Sequence, residues 1–179
     1  IEQGSVDDEG PSLSCRASLF RPSERPPQIL VAALGPEALR VAGSRTAGTS
    51  LAWVGPNTIR DHIVPSITEA ASKAGREAPR VLATLPVCVT DDPEGVRARI
   101  STSAAMYTQL PSYQAMFERE GVAEPGELGL VGSAVEVEEM VAGLADAGVT
   151  DFSASEFTPT PDERDRTRAL LKRLAAVAN

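Results

Sequence analysis

The feature that most constrains the fold is a fourfold alternation of short apolar segments with segments of helical period. Ile29-Leu-Val-Ala-Ala-Leu34 is a continuous apolar run between Pro27 and Gly35, and it reads as a strand buried on both faces. Gly35-Pro36 turns the chain, and proline suits the first position of a helix running to about Ser44. Thr49-Ser-Leu-Ala-Trp-Val54 is a second strand. Ile59, Ile63, Ile67, Ala70 and Ala74 then keep helical spacing up to Gly75, and Pro65 predicts a kink or a true helix start within that pattern. The third strand spans Arg80 to Thr90, with Pro86 inside it marking a bend or an edge.

Asp91-Asp92-Pro93-Glu94 has the composition of a helix start, and helical pieces over about 93–109 and 112–120 follow, split at Pro111. Ser133-Ala-Val-Glu136 is a capping box whose helix stops at Gly148, and Val149-Thr-Asp-Phe-Ser153 is the fourth strand. A second box, Thr160-Pro-Asp-Glu163, opens the last helix, with Leu170, Leu171, Leu174 and Val177 as its apolar stripe. Residues 1–27 carry Pro11, Pro22, Pro26 and Pro27 without helical period; they read as a loop or linker with one extended stretch at Leu13 to Leu19.

Alternating strands and helices imply parallel strands with helical crossovers, hence an α/β protein over residues 28–179. Four such units, with a helical insertion after the third strand, equal half of an eightfold barrel; from the pattern alone a doubly wound open sheet stays open. At 179 residues the chain suits one domain. No apolar run exceeds six residues and the first ten residues are acidic, so neither a membrane span nor a signal peptide is expected, and the chain reads as cytoplasmic. Seventeen basic against 25 acidic residues, a net charge of -8, argue against a phosphate-backbone partner. His62 is the only histidine, which excludes multi-histidine metal sites, and no metal is expected. Cys15 and Cys88 fit no metal spacing, and Cys88 reads as a small buried hydrophobe.

Ligands of α/β folds gather where the strands end. There, Leu34-Gly-Pro-Glu37 is the best anion candidate: a glycine turn entering a helix whose free N–H groups favour a phosphate. The competing reading is a plain turn, and Pro36 withholds one donor. Trp53 could face a flat ring or merely fill the mouth of the fold. His62, with no acid or nucleophile at recognisable spacing, reads as a packing or surface residue, Asp91 and Asp92 as caps, and Glu136, Glu138 and Glu139 as a solvated helix start. No Walker loop, G-x-G-x-x-G or G-x-S-x-G occurs, so motifs alone name no reaction.

The strings Ile29-Leu-Val-Ala-Ala-Leu-Gly-Pro-Glu-Ala-Leu-Arg-Val-Ala-Gly43 and Gly48-Thr-Ser-Leu-Ala-Trp53 resemble the luciferase-like monooxygenase superfamily, most of all its actinobacterial branch that uses coenzyme F420. The likeness continues through Asp61-His-Ile-Val-Pro-Ser-Ile67, Leu85-Pro-Val-Cys-Val-Thr-Asp-Asp-Pro93, Gln109-Leu-Pro-Ser-Tyr113 and Leu144-Ala-Asp-Ala-Gly-Val-Thr-Asp-Phe152. The excess of arginine over lysine, fifteen to two, agrees with a GC-rich bacterial source. The resemblance implies a (β/α)8 TIM barrel with a flavin or deazaflavin at its C-terminal mouth. It also implies a cofactor phosphate at Gly35, Pro36 and Glu37, and a ring system near Trp53.

Only the last four strands of such a barrel correspond to this chain, so the catalytic residues expected from the first half have no counterpart here. The implied activity is an F420-dependent oxidoreductase passing a hydride between deazaflavin and a small organic substrate. An FMN-dependent luciferase-like monooxygenase and a truncated half-barrel that only binds or oligomerises are the alternatives. The implied partner is a missing N-terminal half-barrel or a second copy of the chain.

Overall fold

A computed structural model describes residues 4–18, 20 and 27–177. Near the start, β1 (Ser5–Glu9) and β2 (Ser14–Ser18) form an antiparallel hairpin with Ser5 opposite Ser18 and Glu9 opposite Ser14. The segment read as a linker with one extended stretch therefore holds two strands, and every residue of both is exposed. Pro22 and Pro26, and Leu19 at the end of that stretch, lie outside the described residues.

The rest is a five-stranded parallel sheet with helical crossovers: β3 (Leu30–Val31), α1 (Pro36–Arg45), β4 (Gly48–Ala52), α2 (Pro56–Thr58), a π-helical turn (Ile59–Ile63), α3 (Val64–Lys73), β5 (Arg80–Val89), α4 (Pro93–Ser103), α5 (Pro111–Glu120), β6 (Leu130–Gly132), α6 (Ala134–Asp146), β7 (Asp151–Glu156) and α7 (Pro161–Val177). Short 3-10 turns at Ala105–Gln109 and Pro125–Leu128 flank α5. The α/β class holds, but the count of four units does not. Leu130–Gly132 is a strand of three residues, too short to show a period, lying just ahead of the Ser133 capping box.

The long strand β5 organises the sheet. In a parallel ladder the N–H and C=O of one residue face the same neighbour, so alternate residues serve opposite edges. Odd residues serve β7: Thr150 N–H donates to the Val81 carbonyl at 3.0 Å and Phe157 N–H to that of Val87 at 3.1 Å. Even residues serve β4 first and β6 later: Arg80 N–H reaches the Ala47 carbonyl at 2.8 Å, and Thr90 N–H reaches that of Gly132 at 2.9 Å. Pro86 is even and falls between the last β4 partner, paired with Thr84, and the first β6 partner, paired with Val87. Its missing donor sits where no acceptor waits. Pro86 thus marks not a sheet edge but the point where β5 changes neighbours.

β3 pairs over two residues, not six. Beyond them the Thr49 hydroxyl takes over, lying 3.0 Å from the Val31 carbonyl and 3.4 Å from that of Ala33. The expectation of burial on both faces fails as well, since Ile29 is 52% exposed. The helix-side face, with Ala33, Leu51, Val81, Ala83, Leu85 and Val87, is buried in the main core with Ile59, Ile63 and Ile67 of the second crossover. The opposite face holds Ala32, Ser50, Ala52, Leu82, Thr84 and Ser153, all exposed or half-buried. Beyond Pro86 that same face is covered, for Cys88 and its β6 partner Val131 are buried against Val96 and Ile100 of α4; a doubly wound sheet would cover it along its whole length.

Pro65 stands at the second position of α3, so regular α spacing does start there, although the chain is already helical before it. Val64 N–H donates to the Ile59 carbonyl, five residues back, and helical backbone runs unbroken from Pro56 to Lys73. A proline ring clashes with the carbonyl four residues earlier, and widening the preceding turn to π spacing moves that carbonyl aside. Both capping boxes form, at Ser133 with Glu136 and at Thr160 with Glu163, and Asp92 caps α4 by accepting from Gly95 N–H at 3.0 Å. In the last helix Leu170 is buried but Val177 is 84% exposed, so the apolar stripe stops short of the terminus. No helix among the described residues is long and apolar enough to cross a membrane.

Candidate functional site

Two neighbouring strands end in the same two residues. Leu34-Gly35-Pro36 follows β3 and enters α1; Val54-Gly55-Pro56 follows β4 and enters α2. Both glycines are extended, with φ -85° and -86°, and each helix begins with proline. The first backbone N–H groups of any helix lack partners within it and carry its positive end.

Tertiary structure treats the two turns differently. At Gly55, the Glu120 carboxylate from α5 accepts from Asn57 N–H at 3.1 Å and Thr58 N–H at 2.7 Å. A side chain at Gly55 would collide with Glu120. At Gly35 no side chain among the described residues caps the helix, and a Cβ there would meet none of them within 4 Å. One anion position is filled by the protein's own carboxylate; its twin is open. Glu37, in the first turn of α1, is held by Arg40, whose Nε donates at 3.0 Å, so its charge is balanced locally.

Trp53 stands at the end of β4 with φ 57°, the only non-glycine residue with positive φ among those described. A bulky side chain in the left-handed region costs about 1–3 kcal/mol, and such strain persists only where the surroundings dictate it. The indole is half-buried and stacks at a tilt on Tyr107, centroids 5.5 Å apart. Tyr107 meets Tyr113 edge-on at 4.8 Å, and Tyr113 lies 6.5 Å from Phe117. Burial raises the pKa of the Tyr113 phenol, with Tyr107 adding to it. Beside this aromatic row a cleft of about 300 Å3 is lined by Ala32, Leu34, Ser50, Ala52, Thr84 and Tyr113. Gly35, Pro36, Glu37 and Trp53 thus follow the C-terminal ends of β3 and β4, and the cleft is lined by their chain neighbours Leu34 and Ala52 and by none of the four.

His62, read as a packing or surface residue, is half-buried and makes a specific contact. It sits in the π-helical turn, and its Nε2 is 3.0 Å from the Leu34 carbonyl, immediately before Gly35. Neither this contact nor Glu120 at the twin turn was legible in sequence, because each joins segments far apart in the chain. The acidic candidates are accounted for structurally: Asp92 as a cap, Asp91 paired with Arg166 at 3.0 Å, Glu136 in its capping box and Glu138 paired with Arg173 at 2.8 Å. The Ser133 backbone and hydroxyl hold Glu136 below the ordinary carboxylate range. No group of three or more potential metal ligands occurs among the described residues.

A larger cleft, about 780 Å3, lies at the opposite end of the strands, where Arg45, Arg76 and Arg80 face Glu77. Arg80 is engaged by Asp151 and Gln28, and Arg76 donates to the Thr46 carbonyl at 3.1 Å. Arg45 lies in the last turn of α1, where a cation complements the helix dipole.

The sequence profile of luciferase-like monooxygenases matches residues 3–163. No curated protein matches the chain. Among solved structures, an F420-dependent secondary alcohol dehydrogenase bound to an F420–acetone adduct is 16% identical with a TM-score of 0.71, covering 93% of this chain and 55% of that one. The coenzyme F420 dependent tetrahydromethanopterin reductase of Methanopyrus kandleri is 21% identical, with a TM-score of 0.71 over 94% of this chain and 56% of that one. The FMN-bound oxygenating constituent of 3,6-diketocamphane monooxygenase from Pseudomonas putida is 16% identical, with a TM-score of 0.66 over 95% and 57%. The chain spans little more than half the length of these structures, and at such identities the likeness concerns the fold.

Proposed function

The chain belongs to the luciferase-like monooxygenase family, and from that premise we propose that it forms the C-terminal part of a coenzyme F420-dependent oxidoreductase. The carrying observation is the contrast between the twin turns. Of two helix starts with the same Gly-Pro entry, the one at Gly35 is left open to an outside anion, while Glu120 fills the other. In this reading the backbone N–H groups after Pro36 receive the cofactor phosphate. Gly35 keeps the approach clear, and Trp53 with Tyr107 borders the ring. The small residues of the sheet floor leave room for a flat ring system.

When bound, the deazaflavin supplies the hydride chemistry; the chain's own residues bind, orient and exclude water. F420 is placed before FMN because the two F420-dependent enzymes share this fold at a TM-score of 0.71, against 0.66 for the FMN-bound one. FMN is the second reading, supported by the FMN-bound neighbour. The part of that sheet face left open along β3, β4 and the first half of β5 supports completion of a barrel by further strands, from the same polypeptide or a partner chain. That face is built largely of small residues, so its exposure forfeits less than an apolar inner face would.

The test is titration of the protein, with any flanking polypeptide its gene encodes, by F420 and by FMN while following Trp53 fluorescence. Saturable quenching, tighter for F420 and weakened at least about tenfold by Gly35→Val, is expected. Absence of saturable quenching by either cofactor, or full affinity in Gly35→Val, overturns the reading. Sedimentation of the 179-residue chain tests the completed barrel. Self-association or capture of the complementary strands is expected, and a cooperatively melting monomer that binds neither opposes it.

A further inference from the structure

We infer that His62 is a positioning residue for the phosphate turn, an inference that rests on the placement of the cofactor phosphate at Gly35. The chain's only histidine is delivered to that turn by a local irregularity. Within the 18 residues of helical backbone from Pro56 to Lys73, π spacing is confined to Ile59–Ile63, and His62 lies inside it. π turns shift the following side chains around the helix axis and concentrate at functional sites.

The Leu34 carbonyl can only accept a hydrogen bond, so His62 Nε2 carries its proton and donates at 3.0 Å. Leu34 O and Gly35 N belong to one peptide group, so a donor on that oxygen sets the tilt of the whole plane. The next carbonyl, that of Gly35, accepts from Leu39 N–H at 2.9 Å and closes the first turn of α1. His62 and Leu39 thus hold the two successive peptide planes leading into the open helix start. Nothing else in the turn does so, for Gly35 brings no side chain and Pro36 no N–H.

The turn itself is locally soft. Gly35 has an ordinary extended φ and open space around it, so it is the imidazole that keeps the entry in one conformation. The neighbours of His62 on the π turn do other work: Arg60 pairs with Asp61 at 2.8 Å and donates to Asn57 at 3.1 Å. The imidazole is half-buried and its hydrogen bond goes to backbone, so its contribution is through the backbone it holds.

Phosphate-dependent affinity is the readout that a merely structural histidine would not move. Wild type, His62→Ala and His62→Gln are titrated with FMN and phosphate-free riboflavin, and with F420 and its phosphate-free deazaflavin chromophore. Wild type should prefer the phosphorylated member of the pair it binds. His62→Ala should lose about five- to tenfold of that preference, the equilibrium value of one hydrogen bond, while its affinity for the phosphate-free member stays within about twofold. His62→Gln, whose amide N–H can also donate to Leu34 O, should recover most of it. If His62→Ala keeps the wild-type preference, or loses both ligands in equal proportion, the positioning role is wrong. If wild type itself shows no preference for the phosphorylated member, the phosphate site at Gly35 fails and takes this inference with it.

Discussion

Replacing Glu163 by alanine should lower the melting temperature by about 5–15 °C, and the geometry supplies the magnitude. The side chain is 8% exposed, and one carboxylate oxygen accepts from the Thr90 hydroxyl at 2.6 Å. The other accepts from Thr160 N–H at 2.9 Å and from the Thr160 hydroxyl at 2.7 Å. The bond from Thr90 ties the end of β5 to the start of α7, while Thr160 and Glu163 form the helix's own capping box. Hydrogen bonds to a charged group contribute about 1.5–3 kcal/mol, and each buried donor left unmatched costs about 1–3 kcal/mol. Alanine strips the acceptor from the Thr160 N–H and from two hydroxyls that can partly reorient, so a loss of about 2–4 kcal/mol is expected. At roughly 2–4 °C per kcal/mol for a chain of this size, that gives the stated shift.

Glutamine keeps one acceptor oxygen and should fall between alanine and wild type. The Thr90 hydroxyl, more than any other group, holds the Glu163 pKa below its ordinary 4.5. A depressed carboxylate stabilises the fold above its unfolded pKa, and that contribution disappears as pH falls through the folded value. Wild type should therefore lose stability on acidification below about pH 4.5, and Glu163→Gln should lose less over the same range. Thermal melts by circular dichroism between pH 3 and 7 read both effects. A Glu163→Ala melt within about 1 °C of wild type at pH 7 would refute the reasoning.

Three further outcomes are expected. Cys88 should resist thiol reagents in the native protein while exposed Cys15 reacts quickly, because burial, followed by the charge of Glu163, pushes the Cys88 thiol up to about 11; fast native labelling of Cys88 by mass spectrometry would contradict this. Glu120→Ala should cost about 0.5–2 kcal/mol by uncapping Asn57 and Thr58, read as a lower denaturation midpoint. Gly48→Ala should cost about 2–3 kcal/mol or more, since Gly48 has φ 153° and a Cβ there would run into the Arg80 backbone carbonyl, whereas Gly35→Val should stay within about 1 kcal/mol of wild type; equal melting of the two variants would show the packing argument to be wrong.

Short-range chemistry made much of this molecule legible in its sequence. Proline at the first helical position announced α1, α4 and α7, the Ser133 and Thr160 boxes appeared where Ser-x-x-Glu and Thr-x-x-Glu spacing put them, and β5 stood out as a strand rich in apolar residues. In each case the partners lie within a turn or two of one another, so the pattern and the interaction share the same few residues. Tertiary structure alone decided the rest. β6 is three residues long and exists because β5 offers it an edge beyond Pro86, something no local period can encode. The two Gly-Pro turns are identical as text, and only the docking of α5 makes one a filled cap and leaves the other open. His62 looked like a lone polar residue on a helix until the π turn carried it to Leu34, 28 residues away. Hydrogen bonds over such separations depend on how whole elements pack, and the amino-acid order names the donors and acceptors without saying which of them will meet.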